Sequence, residues 1–191
     1  MGAMKIIGIT GTMGAGKGTI VEYLISTHGF VHYSVRGYLI KVIEQREMPV
    51  NRDSMVIVAN DLRANNKPSF IADELYKEAL LNGKNCIIES IRTVGEVTEL
   101  QSKGNFNLFS VDADRKTRYE RIVKRGSETD LVSYETFAEN EEREMTATDP
   151  NKQNIGACMK LADYHFTNNE TFDNLYVQVD LALIQMSTQA I

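Results

Sequence analysis

The stretch GITGTMGAGKGTIVEYL, at residues 8–24, places five glycines and one lysine between an apolar run and a helix-like segment. The residues at 4–10, MKIIGIT, are typical of a strand that is buried on both faces. After the glycines, Ile20, Val21 and Leu24 recur at helical spacing. Glycine is costly to order and is used where the backbone turns tightly or approaches a ligand closely. The stretch therefore predicts a strand, a ligand-binding loop and a helix.

The same stretch matches the phosphate-binding loop pattern G-x-x-x-x-G-K from Gly11 to Lys17. The N–H groups of such a loop and of the helix after it attract a polyphosphate, and the lysine neutralises charge on the outer phosphates. Gly18 stands where a hydroxyl residue usually follows the lysine, so Thr19 supplies the first hydroxyl for Mg²⁺, directly or through water. We predict that Lys17 is catalytic. The predicted ATP-binding residues are Gly11, Met13, Gly14, Ala15, Gly16, Lys17, Gly18 and Thr19.

The composition is that of an ordinary soluble domain. The chain has 191 residues, of which 42% are hydrophobic and 25% are charged, and its formal net charge is −5. This acidic balance argues against a general nucleic-acid or membrane surface, and no apolar run approaches the ~20 residues that cross a bilayer. Cys86 and Cys158 lack metal-ligand spacing, which is typical of buried thiols in a reducing compartment. We expect one cytoplasmic domain at 1–191, without nucleic-acid or membrane partners, and its oligomeric state is left open.

Apolar periodicity predicts strands that alternate with helices. Strands are predicted at 4–10, 30–34, 85–90 and 107–111, with a last one inside 162–168. Helices are predicted directly after the glycine-rich loop, at 35–47, 52–65, 69–82, 94–102, about 114–125 and 133–146, and around Phe172 to Met186. Such alternation predicts a parallel sheet joined by right-handed crossovers.

Four segments resemble the adenylate kinase group of nucleoside monophosphate kinases and related enzymes. GTMGAGKGT (11–19) is similar to the phosphate loop of that group. IIESIRTVGEV (87–97) resembles the segment in which those kinases end a strand with an acid and then place a phosphate-binding arginine. DADRKTRYERIVKRG (112–126) resembles their arginine-rich passage into a lid. ADYHFTNNETFDNLYVQV (162–179) is similar to the closing strand and helix of dephospho-coenzyme A kinases and of an archaeal adenylate-kinase-like family.

The resemblance covers nearly the whole chain and implies a fold with assigned regions. The implied fold is a three-layer α/β P-loop kinase fold with a parallel five-stranded sheet. A helical insert at about 34–82 would bind the acceptor, and a small lid at about 115–150 would close over ATP. Both regions would belong to the single domain at 1–191.

Charged residues near the predicted strand ends complete the implied site. Glu89 ends a buried strand beside the loop, where a carboxylate can hold Mg²⁺ together with Thr19. Arg92 follows shortly after, and its planar guanidinium suits a phosphate, so we predict that it is catalytic and binds the acceptor. Arg121 and Arg125 are the predicted catalytic arginines of the lid. The alternative for each is a solvated helix face balanced by neighbouring acids.

The acceptor side departs from the family pattern. Adenylate kinases usually follow the second strand with T-G-D-x-x-R, whereas this chain has S-V-R-G-Y-L-I at 34–40. The resembling kinases bind their monophosphate in this region, so the resemblance implies that Ser34, Arg36, Arg63 and Arg92 bind the acceptor. The three arginines would also offset the repulsion between two anionic substrates. The alternative for the residues of the insert is a polar helix face.

The implied function is a Mg-ATP-dependent phosphotransferase that acts on a nucleotide-like small molecule, with ATP and Mg²⁺ as cofactors. A nucleoside or deoxynucleoside monophosphate is the favoured acceptor, because a phosphate needs no base whereas an alcohol does. A dephospho-coenzyme A kinase and a regulatory nucleotide-binding ATPase remain the alternatives. His28, His32 and His165 are expected to be packed or solvated, and residues 139–142 are expected to form a wet helix surface.

Overall fold

A central parallel sheet carries the loop and the predicted site. The computed structural model describes residues 4–126, 132–146 and 153–188. The strands of the described residues are β1 (Ile6–Gly11), β2 (Val31–Ser34), β3 (Cys86–Glu89), β4 (Phe106–Asp112) and β5 (Tyr164–Thr167). They form one sheet in the order β2-β3-β1-β4-β5, and every neighbouring pair is parallel. The predicted five-stranded parallel sheet is confirmed.

Helices connect these strands close to the predicted bounds. The helices of the described ranges are α1 (Lys17–His28), α2 (Val35–Gln45), α3 (Arg52–Asn65), α4 (Phe70–Asn82), α5 (Val94–Gln101), α6 (Arg115–Arg125), α7 (Tyr134–Met145), α8 (Ile155–Lys160) and α9 (Phe172–Thr188). The sequence did not predict α8, because its six residues are too few to display a periodic pattern. Within the described ranges, no helix is long and apolar enough to cross a membrane.

Alternate residues of β1 face two different helical layers. Ile7 packs on one face of the sheet with Leu24 of α1 and Leu183 of α9. Ile6 packs on the other face with Leu75 of α4. All six residues of β1 are buried, which is why the strand is apolar throughout instead of alternating with polar residues. The predicted three-layer α/β fold is thus confirmed.

A smaller core holds the helices between β2 and β3 together. Leu39 of α2, Val58 of α3 and Ile71 of α4 form a separate buried cluster. These helices occupy the insert predicted at 34–82, and its acceptor-binding role stays a prediction. The lid predicted at 115–150 contains α6 and α7, while its residues 127–131 and 147–150 lie outside the described residues.

The order of the strands determines where a ligand can bind. β1 lies between β3 and β4, and the register pairs Glu89 with Ile9 on one side and with Ser34 on the other. The edge strands β2 and β5 have four residues each. In open parallel sheets, ligands bind at the carboxyl ends of strands whose connections diverge to opposite sides. The loop after β1 and the end of β3 meet at such a crevice.

Candidate active site

The loop between β1 and α1 has a backbone that glycine adopts readily. Gly11, Gly14 and Gly16 have φ angles of 142°, 78° and 107°. A Cβ atom on Gly11 would lie 2.1 Å from the carbonyl oxygen of Val111, and one on Gly14 would lie 2.6 Å from that of Arg118. The glycines are therefore required both by their φ angles and by the backbones of β4 and α6, which approach the loop.

Buried side chains hold the outer side of this loop. Asn168, directly after β5, donates from Nδ2 to the carbonyl oxygen of Ala15 at 2.8 Å. Arg118 of α6 donates from Nη1 to the carbonyl oxygen of Met13 at 3.2 Å. The N-cap residue of α1 is Gly16, which has no side chain to accept from the N–H groups of the first turn. Uncapped N–H groups at a helix N-terminus favour an anion.

Lys17, the first residue of α1, lies across the loop. Its Nζ donates to the carbonyl oxygens of Gly11 and Thr12, each at 2.8 Å. The pKa of Lys17 is lowered to about 8, mainly by burial and further by the charge of Arg92, while Glu89 acts in the opposite direction. An anion placed beside the ammonium group would raise this pKa again.

A cavity of about 60 Å³ joins the loop to the segment that follows β3. Its lining residues are Gly11, Met13, Lys17, Ser90, Ile91, Arg92, Glu144 and Ile155. Ser90 has a φ of 71°, a left-handed conformation that is uncommon for a residue with a side chain. This sharp turn ends β3 and is followed by Arg92, which lines the same cavity as Lys17.

Glu89 ends β3 and is partly buried. Its Oε2 accepts a hydrogen bond from His32 Nε2 at 2.9 Å, and its Oε1 has no hydrogen-bond partner in the part of the chain that the structure describes. The hydrogen bond from His32 and the charges of His32, Lys17 and Arg92 lower the pKa of the Glu89 carboxyl, although burial acts against them. Within the described residues, Glu89 is therefore a carboxylate with one oxygen that has no partner.

Neighbouring groups fix the backbone of Arg92. Its N–H donates to Glu96 Oε2 at 3.0 Å, and its carbonyl oxygen accepts from the N–H of Asn154 at 2.9 Å. Glu96 and Thr93 form a capping box at the start of α5. Nη1 of Arg92 donates to Gln153 Oε1 at 3.0 Å. Because a guanidinium has five N–H donors, this contact leaves others for a ligand in the cavity.

The oxygen atoms present fit a magnesium ion that is held largely by a nucleotide. Among the described residues there is no group of three or more His, Cys, Asp or Glu that could hold a metal. Mg²⁺ commonly binds through one or two carboxylates, phosphate oxygens and water. The free Oε1 of Glu89 and the hydroxyl of Thr19, in the first turn of α1, match this requirement. The uncapped start of α1 likewise fits a polyphosphate.

Arg118 has a structural role that the sequence pattern did not predict. It is 4% exposed, and besides its contact with Met13 it forms an ion pair with Glu141 of α7. Glu141 is also buried and pairs with Arg115 at 2.6 Å. The expectation of a wet helix surface at 139–142 is therefore wrong at Glu141, because two arginines of α6 cover it.

The two predicted lid arginines do not line the cavity. Arg121 is partly buried, and its Nη1 is buried without a hydrogen-bond partner among the residues described. Arg125 is exposed at the end of α6. A buried donor without an acceptor is costly. The catalytic roles of Arg121 and Arg125 stay predictions.

The predicted acceptor residues of the insert are spread over two helices. Ser34 is the N-cap of α2 and accepts from the N–H of Gly37 at 3.3 Å. Arg36, in the first turn of α2, is exposed and makes no ion pair with any described residue. Arg63 of α3 lies 3.9 Å from Glu96, and its Nε is buried without a hydrogen bond to the described residues. Their binding roles stay predictions.

Some of the predicted site residues line the same cavity. The predicted residues that line it are Gly11, Met13, Lys17 and Arg92. Residues near the loop or cavity that the sequence did not predict are His32, Ser90, Glu144 and Asn168. They approach the site through strand register, a left-handed turn or helix packing, which local patterns do not encode. One usable signal was the alternation in β2, which places His32 and Ser34 on the same face.

Comparison with known proteins agrees with the resemblance found in the sequence. A family model described as an AAA domain matches residues 7–147. A UPF0200 protein of Methanococcus maripaludis is 30% identical over 172 residues, which cover 88% of this chain and 90% of that protein. A solved shikimate kinase from Bacteroides thetaiotaomicron has a TM-score of 0.57 at 12% identity, covering 96% of this chain and 99% of that one. A gluconokinase from Sinorhizobium meliloti has a TM-score of 0.57 at 8% identity, covering 99% and 97%. At these identities the structural likeness shows the fold alone, and that fold is kinase-like with a P-loop.

Proposed function

Because the chain belongs to the UPF0200 family and to the AAA domain family, and because its fold is kinase-like, we propose that it is a Mg-ATP-dependent phosphotransferase. The proposed acceptor is a nucleoside or deoxynucleoside monophosphate. We infer a single domain at 1–191, in which the acceptor binds at about 34–82 and the lid lies at about 115–150.

The cavity shared by Lys17 and Arg92 supports this proposal most directly. Lys17 follows the loop that would hold the donor phosphates, and Arg92 lies after β3 in the lining of the same cavity. The charge of Arg92 lowers the pKa of Lys17, so the two cations repel each other. Donor and acceptor phosphates brought together at this point would relieve that repulsion, which is the kind of charge stabilisation that phosphoryl transfer requires.

The protein would act by positioning and by charge, because phosphoryl transfer leaves it little covalent chemistry. The loop N–H groups and Lys17 bind the β- and γ-phosphates of ATP. Thr19 and Glu89 hold Mg²⁺, which offsets the charge on those phosphates when it is bound. Arg121 and Arg125 bind from the lid and help to exclude water from the phosphoryl group.

The proposed acceptor follows from the charges on the other side of the crevice. Arg92 would orient the acceptor phosphate, with Arg36, Arg63 and Ser34 completing its site. A phosphate acceptor is already an anion and needs cations, whereas the ribose hydroxyl of dephospho-coenzyme A needs a base. Glu89, which lies next to Ser34 in the sheet, is a carboxylate that could act as such a base, but in this proposal it binds Mg²⁺ instead.

An acceptor panel tests the function. Purified protein with Mg-ATP is offered each ribo- and deoxyribonucleoside monophosphate and dephospho-coenzyme A, and both ADP and the phosphorylated product are measured. We expect strong stimulation of ADP formation by a nucleoside monophosphate. Lys17→Ala should lower kcat more than tenfold, about 1.4 kcal/mol in the barrier, with little change in the unfolding temperature. Phosphorylation of dephospho-coenzyme A alone would overturn the proposed acceptor. Slow ADP formation that no acceptor stimulates would overturn the kinase function.

Arg92→Lys tests the acceptor side separately. Lysine keeps the charge but loses the planar pair of donors, so the KM for the acceptor should rise roughly tenfold while the KM for ATP stays within about twofold. Arg46→Lys is the matched control, because Arg46 forms a partly exposed ion pair with Asp61 at the end of α2, at 2.7 Å. Equal losses for ATP and acceptor would place Arg92 on both substrates.

A further inference from the structure

Two histidine–carboxylate pairs of similar geometry lie at opposite ends of the sheet. His32 Nε2 is 2.9 Å from Glu89 Oε2 at the carboxyl ends of β2 and β3. His28 Nε2 is 2.8 Å from Asp180 Oδ1, beside the residues that precede β1, β2 and β3. All four side chains are partly exposed, with fractional exposures between 26% and 42%.

The pairs differ in how the two carboxylate oxygens are used. Asp180 accepts from His28 through Oδ1 and from the Tyr23 hydroxyl through Oδ2, at 2.8 Å each. Both of its oxygens therefore join α1 to α9. Glu89 uses Oε2 for His32, whereas Oε1 has no partner within the described part of the chain. Each oxygen of Asp180 thus has a partner, whereas among the described residues only one oxygen of Glu89 has one.

Strand register brings His32 to the carboxylate. In the parallel pair β2–β3, His32 lies opposite Ile87 and Ser34 lies opposite Glu89. Residues two apart on a strand share a face, so His32 and Glu89 project from the same side of the sheet. A carboxylate can only accept hydrogen bonds, and therefore Nε2 of His32 is the donor.

We propose that His32 is a positioning residue for the magnesium site. His32 holds Oε2 of Glu89, so that Oε1 faces the Mg²⁺ ion of the bound nucleotide. This inference rests on the proposed function, in which Glu89 holds Mg²⁺. Groups that hydrogen-bond to metal-ligating side chains commonly alter metal affinity 10- to 100-fold. A partly exposed side-chain contact contributes little to folding by comparison, so His32 has a larger effect on the ion than on stability.

Metal binding can be measured without turnover. Mn²⁺ is titrated into the protein–ADP complex and followed by electron paramagnetic resonance, and ADP binding in EDTA is measured by calorimetry. For His32→Ala we expect the Kd of Mn²⁺ to rise at least tenfold, while the Kd of ADP in EDTA changes less than twofold. His32→Gln keeps an N–H donor and should recover most of the Mn²⁺ affinity. His28→Ala, the matched control at the His28–Asp180 pair, should leave both constants unchanged.

Glu89→Gln separates failure of this inference from failure of the proposed function. If Glu89→Gln weakens Mn²⁺ binding and His32→Ala does not, the role of His32 is overturned and the proposed function stands. If neither variant changes Mn²⁺ binding, Glu89 is not at the metal, and the roles of both His32 and Glu89 at magnesium are overturned, while the kinase function itself is judged by the acceptor panel. An equal loss of ADP affinity in EDTA for His32→Ala would make His32 a structural residue and overturn its positioning role.

Discussion

The side chain of Lys17 makes hydrogen bonds to the phosphate-binding loop itself. Two of the three donors of its ammonium group are used by the carbonyl oxygens of Gly11 and Thr12. A polyphosphate that binds the loop must replace these carbonyl contacts with phosphate oxygens. The pKa of Lys17 in the free protein is lowered to about 8. At and above that pH, the fraction of Lys17 that is protonated therefore depends on whether phosphate oxygens have replaced the carbonyl contacts.

This arrangement predicts proton uptake on nucleotide binding. At pH 9 the free protein carries a mostly neutral Lys17, because the pH is above its pKa of about 8. A bound triphosphate raises the pKa, so binding at pH 9 takes up a proton and affinity falls as the pH rises above about 8. Calorimetry of ATP binding in two buffers with different ionisation enthalpies measures the uptake. Lys17→Arg should abolish it, because the guanidinium keeps its proton, and equal heats in both buffers for the wild type would contradict the lowered pKa.

At the residue scale, the sequence predicted those site residues that are adjacent in the chain or that end a clear strand. The glycines and Lys17 form one local pattern, and Glu89 follows a short apolar run that is typical of a buried strand. His32 and Asn168 reach the site from β2 and from the end of β5. Their contacts depend on the order and register of strands that are distant along the chain, and no spacing in the sequence specifies these.

Helix α7 is tied to α6 and, through it, to the phosphate-binding loop. Arg118 and Glu141 form an ion pair with both side chains 5% exposed, and the same guanidinium donates to the carbonyl oxygen of Met13. A buried ion pair costs desolvation, and removing one partner leaves an uncompensated charge. The two helices and the loop therefore depend on one another for their positions.

Glu141→Gln should lower the free energy of unfolding by up to about 3 kcal/mol, because buried Arg118 loses its closest carboxylate and, among the described residues, keeps only Asp112, at 3.4 Å. Urea denaturation measures this change. Glu139→Gln, on an exposed position of the same helix, is the matched control and should change the free energy by less than about 0.5 kcal/mol. Replacing Arg118 and Glu141 together by leucine should cost less than the sum of the single replacements. A Glu141→Gln protein as stable as the control would mean that the pair does not anchor α7.

The elements themselves were well predicted where they are long. Repeating apolar residues predicted α9, and alternation between strands and helices predicted the parallel sheet. Glu141 shows where this reasoning stops. It follows Phe137 by one helical turn and lies on the same buried face, but its charge resembles that of exposed neighbours. Only the presence of Arg115 and Arg118 on α6 makes its burial possible.

On the scale of the whole molecule, the first and last helices share one core. Leu24 of α1 and Val179 and Leu183 of α9 belong to a single buried cluster with Ile7 and Ile9 of the central strand. The loop after β1 is therefore supported by residues near both ends of the described chain.

A shared core predicts one cooperative unfolding transition in calorimetry, with equal van't Hoff and calorimetric enthalpies. A chain that ends at residue 170 and lacks α9 should show no cooperative transition, because the apolar face of α1 would be open to water. Two resolved transitions in the full chain, or native-like unfolding of the shortened one, would contradict the single domain predicted at 1–191.

The position of β1 at the centre of the sheet also matters while the chain is being made. Lys5 meets Asn85 across 80 residues, and Thr12 meets Asp112 across 100. At about 5–20 residues per second, a ribosome completes β1 about 4–16 seconds before it completes β3, the earlier of its two neighbouring strands. Six residues destined for complete burial are therefore exposed on the nascent chain during that interval. The strands that pair with β1 on both sides, β3 and β4, do not yet exist at that stage.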